Sequence, residues 1–163
     1  MSTTPESPDL RAWLAQRDDH ELANLLRLRP DVALPLPPGI TPLAARLQLR
    51  ASVGRAVRTL TALELAVLEA TANLGGELAA VTETDVVNAV CPATGADPDQ
   101  VEAAVGRLRE LALCYGPAEG MRITAEAMSS LPPDWQLLDD APAALSPDAV
   151  EDLPDSQRAI LDT

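Results

Sequence analysis

TALELAVLEATANLGGELAAVTETDVVNAVCPATGADPDQVEAAVGRLRELALCYGPAEGMRI, residues 61–123, is the stretch whose reading decides the fold. Thr61-Ala62-Leu63-Glu64 is a capping box, and Leu63, Val67, Leu68 and Leu74 form an apolar stripe that closes at Gly75-Gly76. A short strand is expected over Glu77 to Val81. Thr82 and Asp85 cap a second helix carrying Val86, Val87 and Val90, which Pro92 should end. Asp97-Pro98-Asp99-Gln100 opens a third, longer helix, with Val101, Val105, Leu108 and Ala112 at helical spacing. Leu113-Cys114-Tyr115 and Met121-Arg122-Ile123 flank the turn from Gly116 to Gly120 and predict an antiparallel hairpin. Helix, helix, longer helix and hairpin in that order predict a winged helix-turn-helix in a mostly α chain. Its expected core is Leu63, Val67, Leu68, Val86, Val101, Val105, Leu108 and Ile123. Such a fold usually holds nucleic acid or a partner protein and seldom does chemistry.

Outward from this unit, residues 1–60 predict a helical N-terminal subdomain. Ser7-Pro8-Asp9 reads as a helix start before Leu10, Trp13 and Leu14. Asp18 and Glu21 cap a second helix with Leu22, Leu25 and Leu26, expected to stop near Pro30. Pro30 to Pro42 holds five prolines and Gly39 and predicts an extended connector. Thr41-Pro42 predicts the next start, with Arg46 and Arg50 on one helical face. Ser52 is expected to cap a short helix with Val53, Val57 and Leu60. Past Thr124 a short helix should end at Leu131-Pro132-Pro133. The winged-helix domain is therefore drawn at 61–131. Trp135, Leu137 and Leu138 form an apolar knot inside a Pro- and Asp-rich linker drawn at 132–155. Residues 156–163 start a further helix, too short to stand alone. The chain is expected to be the front piece of a longer protein.

Composition narrows the function classes. The 163 residues are 47% hydrophobic but only 2% aromatic, with no Phe, so the core is built from small and aliphatic side chains. The formal charge is −13, and all twelve basic residues are Arg. From Leu10 to Leu60 eight Arg face four acids, whereas from Thr61 to Thr163 four Arg face nineteen. Phosphate is repelled by the acidic part, so any nucleic-acid contact should use the first sixty residues. Without Lys a Walker A phosphate loop is impossible. Cys91, Cys114 and the single His20 are too few for a zinc site, and both thiols read as small buried side chains. His20 among Asp18, Asp19 and Glu21 reads as a solvated first-turn residue. No enzyme activity, cofactor or metal is expected. With no leader and no apolar run near ~20 residues, a cytoplasmic, soluble chain without membrane contact is expected.

Several residues carry the binding readings. The third helix opens with Asp97, Asp99 and Glu102, which suit the helix dipole and oppose phosphate, leaving Gln100 and Arg107 as its base-reading candidates. Arg46, Arg50, Arg55 and Arg58 are the better phosphate candidates, since guanidinium forks match phosphate oxygens. The blander reading, which the many acids of the chain favour, is of solvated arginines pairing with nearby carboxylates. Leu10, Trp13, Leu14 and Trp135 are candidate partner contacts, or else they complete the intramolecular core.

Asp9-Leu10-Arg11-Ala12-Trp13-Leu14, the run from His20 through Leu25-Leu26-Arg27-Leu28-Arg29-Pro30-Asp31, Arg50 to Val57, and Val105 to Leu113 together resemble the actinobacterial helicase-associated proteins. The likeness covers roughly residues 9–131, through low-complexity Leu, Ala and Arg patterns. That family carries further winged-helix units and a region similar to part of XPB-type DNA helicases. The acidic third helix and the charge balance favour a non-catalytic docking module acting through protein contacts, and the resemblance implies a link to DNA repair or transcription. Its implied partner is a protein or the rest of a longer helicase-like polypeptide. The alternatives are weak, sequence-independent DNA binding through the N-terminal arginines, or a winged-helix transcription regulator.

Overall fold

The computed structural model describes residues 8–135. The apolar Leu137 and Leu138, the linker beyond them and the helix from Ser156 lie outside the described residues. The first helix is capped by Asp9 and not by the expected Ser7, the Asp9 carboxylate accepting from the Ala12 N–H at 2.7 Å. Eight helices and one small antiparallel sheet make the described chain mostly helical: α1 Leu10–Ala15, α2 Asp19–Leu28, α3 Pro30–Ala33, α4 Ile40–Leu47, α5 Arg50–Val57, α6 Ala62–Asn73, α7 Glu83–Thr94, α8 Pro98–Glu110, β1 Cys114–Tyr115 and β2 Arg122–Ile123. A single 3-10 turn, Met128–Ser130, follows.

α6 is the axis of the molecule. The Thr61 hydroxyl accepts from the Glu64 N–H at 3.3 Å, and the Glu64 carboxylate accepts from the Thr61 N–H at 2.9 Å, so the expected capping box forms. Leu65 to Thr71 are buried without interruption, as befits a helix enclosed on every side. The stripe read from the sequence is therefore too narrow: Leu63 is only half-buried, Leu74 is exposed, and Leu65, Ala66 and Ala70 join the core. The helix closes as a Schellman motif, with the Gly76 N–H donating to Thr71 O at 2.9 Å and Gly75 in the left-handed region at φ 91°. A side chain at Gly76 would put Cβ 2.8 Å from Thr71 O, which explains the second glycine.

α7 and α8 pack against α6 and against each other. Thr82 caps α7 through the Asp85 N–H at 3.1 Å. Pro92 does not end α7: the helix runs on to Thr94 and stops at Gly95 in the left-handed region. Val101, Val105 and Leu108 of α8 are fully buried, each contributing roughly 1.5–3 kcal/mol. After α8 the chain reverses through Ala112 at φ 54° into β1. Cys114 pairs with Ile123 and Tyr115 with Arg122, so the expected antiparallel hairpin is present. Of the strand expected over Glu77 to Val81, only Val81 pairs, exchanging two 2.8 Å hydrogen bonds with Met121.

The N-terminal helices build a second apolar cluster, in which Leu10, Trp13 and Leu14 of α1 meet Leu43 and Leu47 of α4. Ala112 and Tyr115 also belong to it, and the Trp13 and Tyr115 rings lie 6.4 Å apart. α5, grouped by the sequence with the N-terminal part, places Val53, Ala56 and Val57 in the α6–α8 cluster instead. The connector is not simply extended, because Pro30 starts α3, where a proline at the first helical position costs no hydrogen bond. α4 starts one residue before Thr41, from Gly39, and Thr41 Oγ1 accepts from Arg11 at 2.8 Å. Ser52 is not a cap: α5 begins at Arg50, and Ser52 is buried inside it.

Arg29 ties the two clusters together. It is 1% exposed, and it donates to Leu111 O at 2.8 Å, Ser52 Oγ at 2.5 Å and Asp31 at 3.3 Å. Ser52 in turn donates to Asp31. Burial pushes the guanidinium pKa down, and the adjacent Asp31 acts in the opposite direction.

Candidate functional site

α5 begins at the turn after α4, and its two faces differ in kind. Val53, Ala56 and Val57 face the core. Arg50, Arg55 and Arg58, all exposed, line a groove of about 760 Å³ together with Gly54. The opposite wall is the chain from Ser129 to Pro133, brought there because the 3-10 turn packs on α5. Among the described residues, no acid lines this groove. Among the described residues, these three guanidinium groups make no hydrogen bond or ion pair. The Ser130 hydroxyl on the far wall is enclosed and also lacks a hydrogen-bond partner. Along the axis of α5 the arginines span ~12 Å, about three base steps of one DNA strand at 3.4 Å each.

The other sequence candidates are placed differently. Arg46 does not share a helical face with Arg50, since α4 ends at Leu47 and α5 starts at Arg50. Its guanidinium holds the connector, donating to Val32 O at 2.9 Å and to Pro35 O. Arg107 pairs with Glu110 on its own helix at 3.3 Å. Arg109 reaches Glu83 of α7 at 3.0 Å. Leu10, Trp13 and Leu14 are 3%, 6% and 0% exposed, so they complete the core and present no docking surface. Arg17 lies 4.7 Å over the Trp13 ring. Trp135 is half-buried against the core, its indole N–H donating to Glu69 at 2.9 Å.

α8 is poorly disposed to read bases. α2 packs beside it, and a cleft of about 350 Å³ between them is lined by Arg17, Glu21, Arg109 and Glu110, two charges of each sign. Its open positions include Asp99, Gln100, Glu102 and Glu110. The Gln100 side chain accepts from the Asp97 N–H at 2.9 Å, which engages it in the helix start.

His20 is exposed in the first turn of α2. Cys114 is buried, and burial pushes its thiol up to about 12. Cys91 is half-exposed and not the buried thiol the sequence suggested. Among the described residues, no three His, Cys, Asp or Glu side chains gather as a metal-ligand set. No helix among them is long and apolar enough to cross a membrane.

The arginines of the groove were legible in the sequence, but its second wall was not. Ser129 to Pro133 lies some seventy residues away and carries no local signal for a contact with α5. Comparison with family models, curated proteins and solved structures finds no match to this chain.

Proposed function

We propose that this chain is a non-catalytic binding module on a winged-helix scaffold, and that it holds the phosphodiester backbone of nucleic acid through Arg50, Arg55 and Arg58. The observation that carries the reading is the groove itself: three exposed guanidinium groups with no acid among the described lining residues, in a chain of formal charge −13. The succession α6, Val81, α7, α8, β1 and β2 supports the winged-helix reading. Contact is with phosphate and not with base edges, because the groove offers arginines on one helix and α8 carries acids on its open face. A role in DNA repair or transcription within a helicase-associated protein is what the family resemblance implies, and the groove is compatible with it.

The test is a titration of labelled duplex and single-stranded DNA by fluorescence anisotropy at 50 and 200 mM salt. Three neutralised phosphates give a slope near −2.7, hence binding about 40-fold weaker at the higher salt. An Arg50→Ala/Arg55→Ala/Arg58→Ala variant should lose binding, whereas Arg107→Ala should retain it. Salt-insensitive binding, or binding that needs Gln100 or Arg107, would sink the reading.

A second reading, docking to a protein, draws on the connector. Leu34 and Leu36 are 81% and 71% exposed, more than isolated surface leucines require. A Leu34→Ser/Leu36→Ser variant that stays folded should then lose co-purification with a helicase partner. Unchanged co-purification would remove this reading.

A further inference from the structure

We infer, on the reading of the groove as a phosphate site, that its ligand is a single strand of nucleic acid, with phosphates on the Arg50/Arg55/Arg58 wall and bases on the opposite one. The two walls differ in kind. α5 offers three cations around a small floor: Ala51 and Gly54 line the groove between the arginines, and nothing stands within 4 Å of where a Gly54 Cβ would be. A sugar-phosphate chain can therefore lie close to the helix. The described part of the facing wall, Ser129 to Pro133, carries no charge, and Leu131, Pro132 and Pro133 make it mainly apolar. This wall is pinned at both ends. The Met128 N–H donates to Glu77 at 3.1 Å, and the Trp135 indole N–H donates to Glu69 at 2.9 Å. A wall fixed in place before binding costs little ordering when a ligand arrives.

A single strand has the same two-sided character. One edge is a row of phosphates, and the other is a row of unpaired bases whose flat faces gain by leaving water for an apolar surface. In a duplex those faces are stacked inside, and only base edges are open, within the grooves. Duplex phosphates can reach the arginines, but no base of a duplex can lie on Pro132 or Pro133. Size agrees with this. Spread over the ~12 Å between the arginines, the groove's 760 Å³ leaves a channel roughly 8 Å across. A duplex is wider, its major groove alone measuring about 12 Å. Charge by itself predicts the reverse preference, since duplex DNA is the denser array of phosphates. A preference for the single strand is thus a signature of the apolar wall and not of the arginines.

The experiment is fluorescence anisotropy on the full chain with three labelled probes: a 20-nucleotide oligothymidylate, an oligouridylate of the same length, and the thymidylate strand annealed to its complement. At 50 mM salt the unpaired thymidylate should bind about tenfold tighter than the duplex, the gain that one well-placed base gives. Between 50 and 200 mM salt it should weaken about 20-fold, against about 40-fold for the duplex, because three phosphates on a single strand release fewer counterions. The gap therefore widens with salt. Pro132→Ser/Pro133→Ser changes two exposed residues. It should weaken single-strand binding about fivefold and leave duplex binding within about twofold, so the duplex serves as the folding control. Arg50→Ala/Arg55→Ala/Arg58→Ala should lose both. A lead for either single strand over the duplex supports the inference, and the stronger of the two names the sugar. A duplex bound at least as tightly as both single strands, with the arginines still required, would overturn the inference and leave the phosphate groove standing. So would a single-strand preference that the proline variant leaves unchanged. Binding of none of the probes overturns the inference and the groove reading together.

Discussion

α5 and α8 carry similar arginines and put them to different use. On α8, Arg107 meets Glu110 and Arg109 meets Glu83, so the cations hold the helix to itself and to α7. On α5, Arg50, Arg55 and Arg58 look across a groove that no acid lines among the described residues. The arginines of α8 are engaged, and its open positions include Asp99, Glu102 and Glu110. The contrast teaches that counting charges does not locate a binding surface. What locates it is which charges have no partner, and that depends on the fold.

The largest test concerns the arginine that joins both helices. Arg29 donates to Ser52 inside α5 and to Leu111 at the end of α8. Arg29→Ala should lower stability by about 3–5 kcal/mol in urea unfolding, because Asp31 and the Leu111 carbonyl lose a buried partner. A loss under 1 kcal/mol would mean that the two clusters do not depend on this tie.

Next in size is an alkaline effect on the α8 side. The Cys114 thiol has an ordinary value of 9.0 and sits near 12 when folded, mainly through burial. The unfolded chain therefore releases this proton near pH 9 while the folded chain keeps it. The contribution is intact below pH 9 and is lost as pH rises toward 12, by about 1.4 kcal/mol per pH unit. Burial also raises Tyr115, which adds to the loss at higher pH. Urea midpoints between pH 7 and pH 10.5 should fall more steeply for wild type than for Cys114→Ala. Parallel curves would refute the assignment.

Smaller effects separate the two helices directly. Arg109→Ala should cost about 1 kcal/mol, since its bond to Glu83 is largely shielded from water. Arg55→Ala should stay within about 0.5 kcal/mol, as an exposed side chain without a partner does. Equal costs would erase the distinction drawn between α5 and α8. Finally, Gly54 and Gly106 sit inside α5 and α8 with open space where a Cβ would stand. Gly54→Ala and Gly106→Ala should each raise stability by about 0.5–1 kcal/mol, measured as the thermal midpoint. A loss at Gly54 would show that the groove wall is tighter than its geometry indicates.

What the sequence revealed follows the range of each signal. The Thr61 and Thr82 caps, the start of α8 and the 114–123 hairpin rest on residues within a turn of one another, and all are found. Ser52 misled because a serine before an apolar run resembles a cap, whereas here it serves Arg29 from across the fold. Pro92 misled because a proline three residues before the closing Gly95 removes one N–H donor without stopping the helix, and it is Gly95 in the left-handed region that ends it. The site divided the same way. Arg50, Arg55 and Arg58 were visible as a cluster, but Arg46 looked identical to them and proved to be committed to Val32 and Pro35. Trp13 looked like a docking residue because its ring neighbour, Tyr115, lies about a hundred positions along the chain.

The bond from Arg29 to Leu111 spans 82 positions. On a ribosome adding ~5–20 residues per second, Arg29 emerges roughly 4–16 s before the carbonyl that it will bind. During that interval α1 to α4 have been made, but Ala112 and Tyr115, the far side of their cluster, have not. Eight of the ten buried members of that cluster lie between Leu10 and Leu47, but the side of Trp13 that meets Tyr115 stays open until β1 is made. The α6–α8 unit is contiguous in sequence and closes mostly through nearby contacts, so it can condense as soon as it is complete. The N-terminal cluster is thus the first to be made and is completed only when Ala112 and Tyr115 arrive.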